Sequence, residues 1–326
     1  MIKPDLSAKI AMSIIGFFLA VSIFATFLAS PYPLVVFKNN SGLEIPAGPF
    51  FAAWSAKTKN QLDKINFRDL ASKGKISAMF TLVPYSPYEQ NLDEILFAPS
   101  LGRFGHYMGT DDVGRDIAAR MIHGARNSML VGMIAVVLSL VIGVIVGSLA
   151  GFYGGWVDLL ISRFIEIMIT FPRLILIMAV LVMLKPSLFN VMIVLGLTQW
   201  TGVARILRAE FLKRKNMEFV LASKAMGAGS FRQIFYHILP NSLSPIIVMT
   251  TFDVADVVLT ESGLSFLGIG IQPPDASWGQ VLNISQAYMD FAWWLIFFPG
   301  LFIFSVVVAY NLLGDYLRKY LNPKDR

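Results

Sequence analysis

The sequence predicts an all-α integral membrane protein with about six transmembrane helices, a large extracytoplasmic insert between the first two, and a cytoplasmic loop between the fourth and fifth. Three observations carry that expectation. Of 326 residues, 56% are hydrophobic and only 15% are charged, with a mean hydropathy of +0.63. A soluble domain of this length needs more charge, because its surface must face water. The apolar residues also gather into stretches of ~18 or more, the length that a ~30 Å hydrocarbon core demands of a helix. Basic residues, finally, crowd the segments that a six-span arrangement places on one side of the membrane.

The first span is expected at 10–29, after Lys3 and Lys9. It ends near Leu28-Ala29-Ser30, so a cleaved signal peptide has to be weighed. An apolar run of ~20 residues exceeds the ~7–15 of such a segment, and further spans follow, so it is read as an uncleaved helix. The insert comes next. Pro31-Tyr32-Pro33, Ala47-Gly48-Pro49 and Pro84-Tyr85-Ser86-Pro87 are turn signals, and a charged helical stretch is expected at 54–75. Together these define a small extracytoplasmic subdomain over 31–108, between an N-terminal segment 1–30 and a transmembrane domain over 109–315. The remaining spans are expected at 128–150, 159–184, 188–207, 243–260 and 291–313. Gly143, Gly147 and Gly151, with Gly132 earlier, give span two a flat face for close helix packing. Pro172 should kink span three.

Arg205, Arg208, Lys213, Arg214, Lys215, Lys224 and Arg232 lie around the connection of spans four and five, and Arg318, Lys319, Lys324 and Arg326 lie in or near the tail 316–326. The positive-inside rule makes that side cytoplasmic, with both termini there. The net charge of +6 follows this topology and does not indicate nucleic acid. The chain has no cysteine, which excludes disulfides and thiolate metal sites. His106, His123 and His237 are scattered without ligand spacing, so no metal is expected. Asp111, Asp112 and Asp116 with Arg115 lack the spacing of a calcium loop and read as a capped, salt-bridged turn. A membrane hydrolase would need a His-Glu-x-x-His helix, a Gly-x-Ser-x-Gly elbow or aspartates on two spans, and none is present. No catalytic residue is expected.

The loop from Glu218 to Pro240 is basic and partly apolar. Leu207, Phe211, Leu221 and Ala222 recur at helical spacing, Ala222-Ser223 makes a small-residue surface, and Gly227 should break the helix. A second short helix is expected from Ser230 to Pro240. A helix–break–helix of this kind suits docking into a groove on a soluble partner.

Here the chain resembles the permease subunits of ABC importers, whose cytoplasmic hallmark is Glu-Ala-Ala, three residues, Gly, nine residues, Ile-x-Leu-Pro. The triplet falls on Leu221-Ala222-Ser223, the glycine on Gly227 and the ending on Leu239-Pro240. Leu221, Ser223 and His237 depart from that pattern as the dipeptide/oligopeptide/nickel branch does, where the ending reads as His237–Asn241 reads here. Gly109–Asp116 with Arg120, Gly124-Ala125-Arg126 and Ser128 resembles the segment before span two in the C-type permeases of that branch. Glu261–Gly268, Gln272-Pro273-Pro274 and Ser277-Trp278-Gly279 resemble the stretch between its last two spans. The insert with Tyr32–Lys38 looks most like the branch that takes up microcin-like peptides.

The resemblance implies a permease that forms the translocation path for peptides or related solutes and is itself no enzyme. ATP and Mg would be bound by two partner ATPase subunits. A second permease subunit, an extracytoplasmic solute-binding protein and the lipid bilayer complete the implied partners. The implied coupling residues are Glu218, Leu221, Ala222, Ser223, Gly227, His237, Leu239 and Pro240. The sequence agrees on one point: Gly74-Lys75 lacks an upstream phosphate-loop glycine and is followed by Ile76. A secondary transporter is the alternative, although paired inverted repeats with broken helices are not visible.

Asp253, Asp256 and Glu261 are the candidate path residues. Asp253 and Asp256 share one face of span five, where a carboxylate is costly and marks a polar path or a partner. They line a path for cationic cargo, or they pair with Arg173 on span three; the sequence leaves both open. Arg163 and Glu166 are expected to pair with each other.

Overall fold

The computed structural model describes residues 5–102 and 104–321; Lys3, Lys324 and Arg326, part of the basic flanks, lie outside the described residues. In chain order the elements are helices α1 (Leu6–Ile23) and α2 (Ala25–Leu28), strand β1 (Val35–Asn39), helices α3 (Pro49–Ala52), α4 (Ala56–Leu62) and α5 (Phe67–Ser72), and strand β2 (Ile76–Met79). Helices α6 (Ile117–Tyr153), α7 (Gly155–Thr170), α8 (Arg173–Met183), α9 (Leu188–Arg214), α10 (Glu218–Ala225) and α11 (Ser230–Arg232) follow. A π-helical turn, Gln233–Ile238, then leads into α12 (Leu239–Phe266), α13 (Trp278–Ser285) and α14 (Trp294–Leu321). Helices α1, α6, α9, the run Ser230–Phe266 and α14 are long and apolar enough to cross a membrane; α7 and α8, bent by 82°, make a sixth if they form one span.

Four expectations change. Span three is broken rather than kinked, because Pro172 has no N–H and holds Phe171 before it extended (φ −81°, ψ 131°). The helix beginning at Ser230 does not stop at Pro240 but continues into α12. Pro240 cannot donate to the carbonyl one turn back, and the widened π turn precedes its ring. Just after it, Asn241 Nδ2 and Ser242 Oγ add side-chain bonds to the carbonyls of His237 and Ile238, at 2.7 and 2.9 Å. The stretch 54–75 forms two helices, since Asn66 caps α5 by accepting from the Asp69 amide at 3.0 Å. Finally, α6 starts well before residue 128, so its polar first turns, with Arg120 and His123, are helical too.

One compact unit holds Met129–Ile271 with the start of α1 and the end of α14. Its core joins Val131 and Ala135 of α6, Ile177 and Leu181 of α8, Val191 and Leu195 of α9, and Val257 and Leu264 of α12. The glycine face of α6 packs on α9 as its spacing suggested. A Cβ on Gly143 would meet Val203 Cβ at 2.5 Å, and one on Gly147 would meet the Ala204 carbonyl at 2.5 Å. One on Gly151 would meet Phe211 Cβ at 2.5 Å. Backbones this close leave no room for any side chain. Asp158, in the first turn of α7, takes Arg208 Nη2 of α9 at 2.7 Å. Arg163 and Glu166 pair at 2.7 Å, as expected.

The other unit holds Phe17–Ser128 and Gln272–Phe302. In it β1 and β2 pair antiparallel, Val35 opposite Met79 and Asn39 opposite Ile76, over a core of Tyr32, Phe50, Leu62, Phe67 and Ile76. The acidic stretch forms a capped turn. Asp111 accepts the amides of Val113 and Arg115 at 3.1 and 2.9 Å, and Arg115 Nε at 2.6 Å. Arg120, fully buried, donates to the Pro87 carbonyl at 3.0 Å and to Gln280 Oε1. Asp116 caps α6 through the Ala119 amide at 2.7 Å and binds His106 Nδ1 at 2.7 Å. Glu94 takes the other ring nitrogen at 3.2 Å. Burial alone would lower the His106 pKa, but its bonds to Asp116 and Glu94 outweigh that and raise it above the ordinary value.

Candidate functional site

Two features of the first unit carry the candidate chemistry: the 218–240 segment and a polar cluster between α8, α9 and α12. In the segment, Glu218 opens α10, where an exposed carboxylate complements the helix N-terminus. The helix is anchored by Val220, which packs on Phe211, Ile234 and Ile238. Its end is closed by two bonds. The Gly227 amide donates to the Lys224 carbonyl at 3.0 Å, and the Ala228 amide to the Ser223 carbonyl at 3.1 Å. That pattern, with Gly227 at φ +84°, is a Schellman cap, and its left-handed residue is the reason a glycine stands there. Gln233, buried, donates through Nε2 to the Ala228 carbonyl at 2.6 Å and so ties the turn to the next helix.

The outer surface of this turn is apolar. Leu221 is 50% exposed, Met226 82% and Phe231 67%, with the Phe231 and Phe235 rings 4.6 Å apart. Ala222 is exposed beside them, as are the cations Lys224 and Arg232. Ser223 is instead buried, so its smallness serves packing within the chain. His237, half-buried, lies in the π turn; Leu239 and Pro240 begin α12. An apolar patch rimmed by charge, on a turn this firmly tied, is the chain's candidate surface for contact with another protein.

The polar cluster lies in otherwise apolar helices. The break at Pro172 leaves Arg173 in the first turn of α8, where the helix dipole disfavours a cation. Asp256 of α12 offsets this: Arg173 Nη2 reaches Asp256 Oδ2 at 2.6 Å and Thr260 Oγ1 at 3.3 Å. Gln199 of α9 donates to both acids, to Asp253 Oδ1 at 3.2 Å and Asp256 Oδ2 at 3.3 Å. Asp253 is 9% exposed, and its Oδ2 has no hydrogen-bond partner among the described residues. The Arg173 and Asp256 side chains are about half-exposed, at 40% and 46%. A charge facing lipid at mid-membrane costs ~2.5–3.5 kcal/mol, so the open side of the cluster belongs to protein or water. Glu261 is placed differently. It is fully buried and accepts from Ser265 Oγ at 2.7 Å, while that hydroxyl accepts the Ile271 amide at 3.0 Å. Sequence reasoning missed Gln199, Thr260, Gln233 and the Arg208–Asp158 pair. Only the rarity of polar side chains within apolar spans signalled Gln199.

Broken and unbroken helices of spanning length, a capped turn with an exposed apolar face and a polar cluster at mid-helix define a multi-pass membrane protein. Residues 143–326, more than half the chain, match the family described as binding-protein-dependent transport system inner membrane component. The chain belongs to that family. It is 39% identical over 277 residues to the dipeptide transport system permease protein DppC of Alkalihalophilus pseudofirmus, covering 85% of this chain and 90% of that protein. It is 42% identical over 246 residues to DppC of Escherichia coli K12, covering 74% and 82%. Among solved structures, the inward-facing MetNI methionine ABC transporter aligns with a TM-score of 0.51 at 17% identity, over 63% of this chain and 98% of that one. That likeness bears on the fold alone. The protein is a permease of an ATP-driven importer.

Proposed function

We propose that the importer carries peptides and that this chain forms part of their path while a separate ATPase drives it. The peptide cargo is the one named for the DppC relatives, at up to 42% identity. The observation that carries the coupling is the exposed Leu221–Met226–Phe231 surface on a capped turn. Glu218, Leu221, Ala222 and Gly227 form or shape the docking face; Ser223, His237, Leu239 and Pro240 hold it onto α12. The docking face is cytoplasmic, with both termini on that side, and each of two ATPase subunits supplies ATP and Mg chemistry that this chain lacks. A second permease subunit closes the open side of the Arg173–Asp256 cluster, and a solute-binding protein delivers cargo to the outer face, to which the 31–108 subdomain belongs. Asp253 and Asp256 line the path. Glu261 joins them in its helix but serves the 261–271 turn.

Reconstitution tests this reading. The chain, its companion permease and the ATPase subunits in liposomes are expected to accumulate peptide only with ATP and binding protein together. Accumulation driven by an ion gradient without ATPase subunits would make it a secondary transporter instead.

A further inference from the structure

The charged side chains of the polar cluster do not balance. Arg173 is one cation against two acids, and it is committed to Asp256 at 2.6 Å. Asp253 has only the neutral Gln199 amide, at 3.2 Å on Oδ1. Its other oxygen is buried without a partner among the described residues, in a residue that is 9% exposed. Two other cations of the same unit, Arg163 and Arg208, pair with Glu166 and Asp158 and not with Asp253. A buried carboxylate oxygen without a donor is costly, and the cost falls when a positively charged donor reaches it. No group of three or more metal-ligating side chains gathers among the described residues, so a coordinated metal fits poorly. An ammonium or guanidinium group supplies both the charge and the N–H.

We infer that Asp253 is the point at which a cationic side chain of the cargo is held in transit, Asp256 being matched internally by Arg173. The inference rests on the peptide-permease reading and divides the two acids by role. Asp256 with Arg173, Gln199 and Thr260 fixes the break between α7 and α8 against α12. Asp253, positioned by the same glutamine, keeps one oxygen for the passing cation.

The test uses the reconstituted importer with its ATPases and binding protein. Three tripeptides, identical except for Lys, Gln or Glu at the middle position, are each supplied at a concentration that saturates the binding protein. Asp253→Asn is expected to slow Lys-peptide uptake on the order of tenfold relative to the Glu peptide. Asp253→Glu, which keeps the charge, should restore the wild-type Lys-to-Glu ratio. Asp256→Asn should lower all three alike, because it releases Arg173. Permease content of the liposomes, measured in parallel, removes folding from the comparison. Equal slowing of all three peptides by Asp253→Asn, or no slowing, would overturn the inference while leaving peptide transport in place. A wild-type complex that accumulates none of the peptides would instead remove the peptide reading and the inference with it.

Discussion

The turn at Gly227 allows a test in which backbone and steric effects separate cleanly. Gly227 has φ +84°, and a Cβ built on it meets no atom of the described residues within 4 Å. The cost of any side chain there is therefore conformational. For an L-residue in the left-handed region it is about 1–2 kcal/mol, and β-carbon substitution alone incurs it. Gly227→Ala and Gly227→Leu should then cost the chain nearly the same. Their shared effect is to open the Schellman cap, lowering the population of the closed turn by roughly 5–30-fold. Membrane insertion should be unaffected, since the turn lies between α10 and α11, outside the long apolar helices. The assay is ATP-driven uptake beside ATPase activity in the reconstituted complex. Uptake per ATP should fall in both variants, and Gly227→Asn, which tolerates this backbone better, should fall less. If alanine is silent and leucine is not, the glycine is kept for space against a partner, and the conformational reasoning fails. If both transport normally, the 218–240 segment is not the docking site.

The glycine seam of α6 should behave in the opposite way. Gly147→Ala drives a Cβ to 2.5 Å from the Ala204 carbonyl and should cost ~1–3 kcal/mol of packing, read as a lower melting temperature of the purified permease. Gly300→Ala, which meets nothing within 4 Å, should not lower it. His106 should make the unit that holds Phe17–Ser128 sensitive to alkali. Its pKa is raised on folding, so its stabilisation is complete below the ordinary value of 6.5 and lost as pH rises through the folded value. Melting followed over about pH 5–9 should show that loss in the wild type and not in His106→Asn. Single cysteines placed in this cysteine-free chain at positions 40–105 should react with an impermeant reagent from outside, and those at 213–236 only after the membrane is opened. The reverse pattern would invert the proposed topology.

What could be read from sequence followed from signals that are local or periodic. Apolar runs of spanning length marked α1, α6, α9, α12 and α14, because the bilayer imposes length and hydropathy on each helix separately. The α6 glycines announced a close neighbour by spacing alone, though not that the neighbour is α9. Helix ends were less legible. Pro172 and Pro240 raise the same local objection to a helix, yet the chain breaks at Phe171 and passes through a π turn before Pro240. At Pro240 the chain widens into the π turn and continues as α12, whereas at Pro172 it turns away by 82°.

The polar cluster shows why a site is harder to read than a fold. Three-residue spacing put Asp253 and Asp256 on one face of a helix and named Arg173 as a possible partner. Spacing cannot say which acid the arginine takes, because that depends on the bend between α7 and α8 and on the register of α12. The structure gives Arg173 to Asp256 and leaves Asp253 with an amide. Energetically the two acids are then unlike. The Arg173–Asp256 pair meets its charge within the chain and is about half-exposed on the side that the proposed second permease subunit would cover. Asp253, buried with one oxygen unmet, is the group whose energy changes most when a cation arrives.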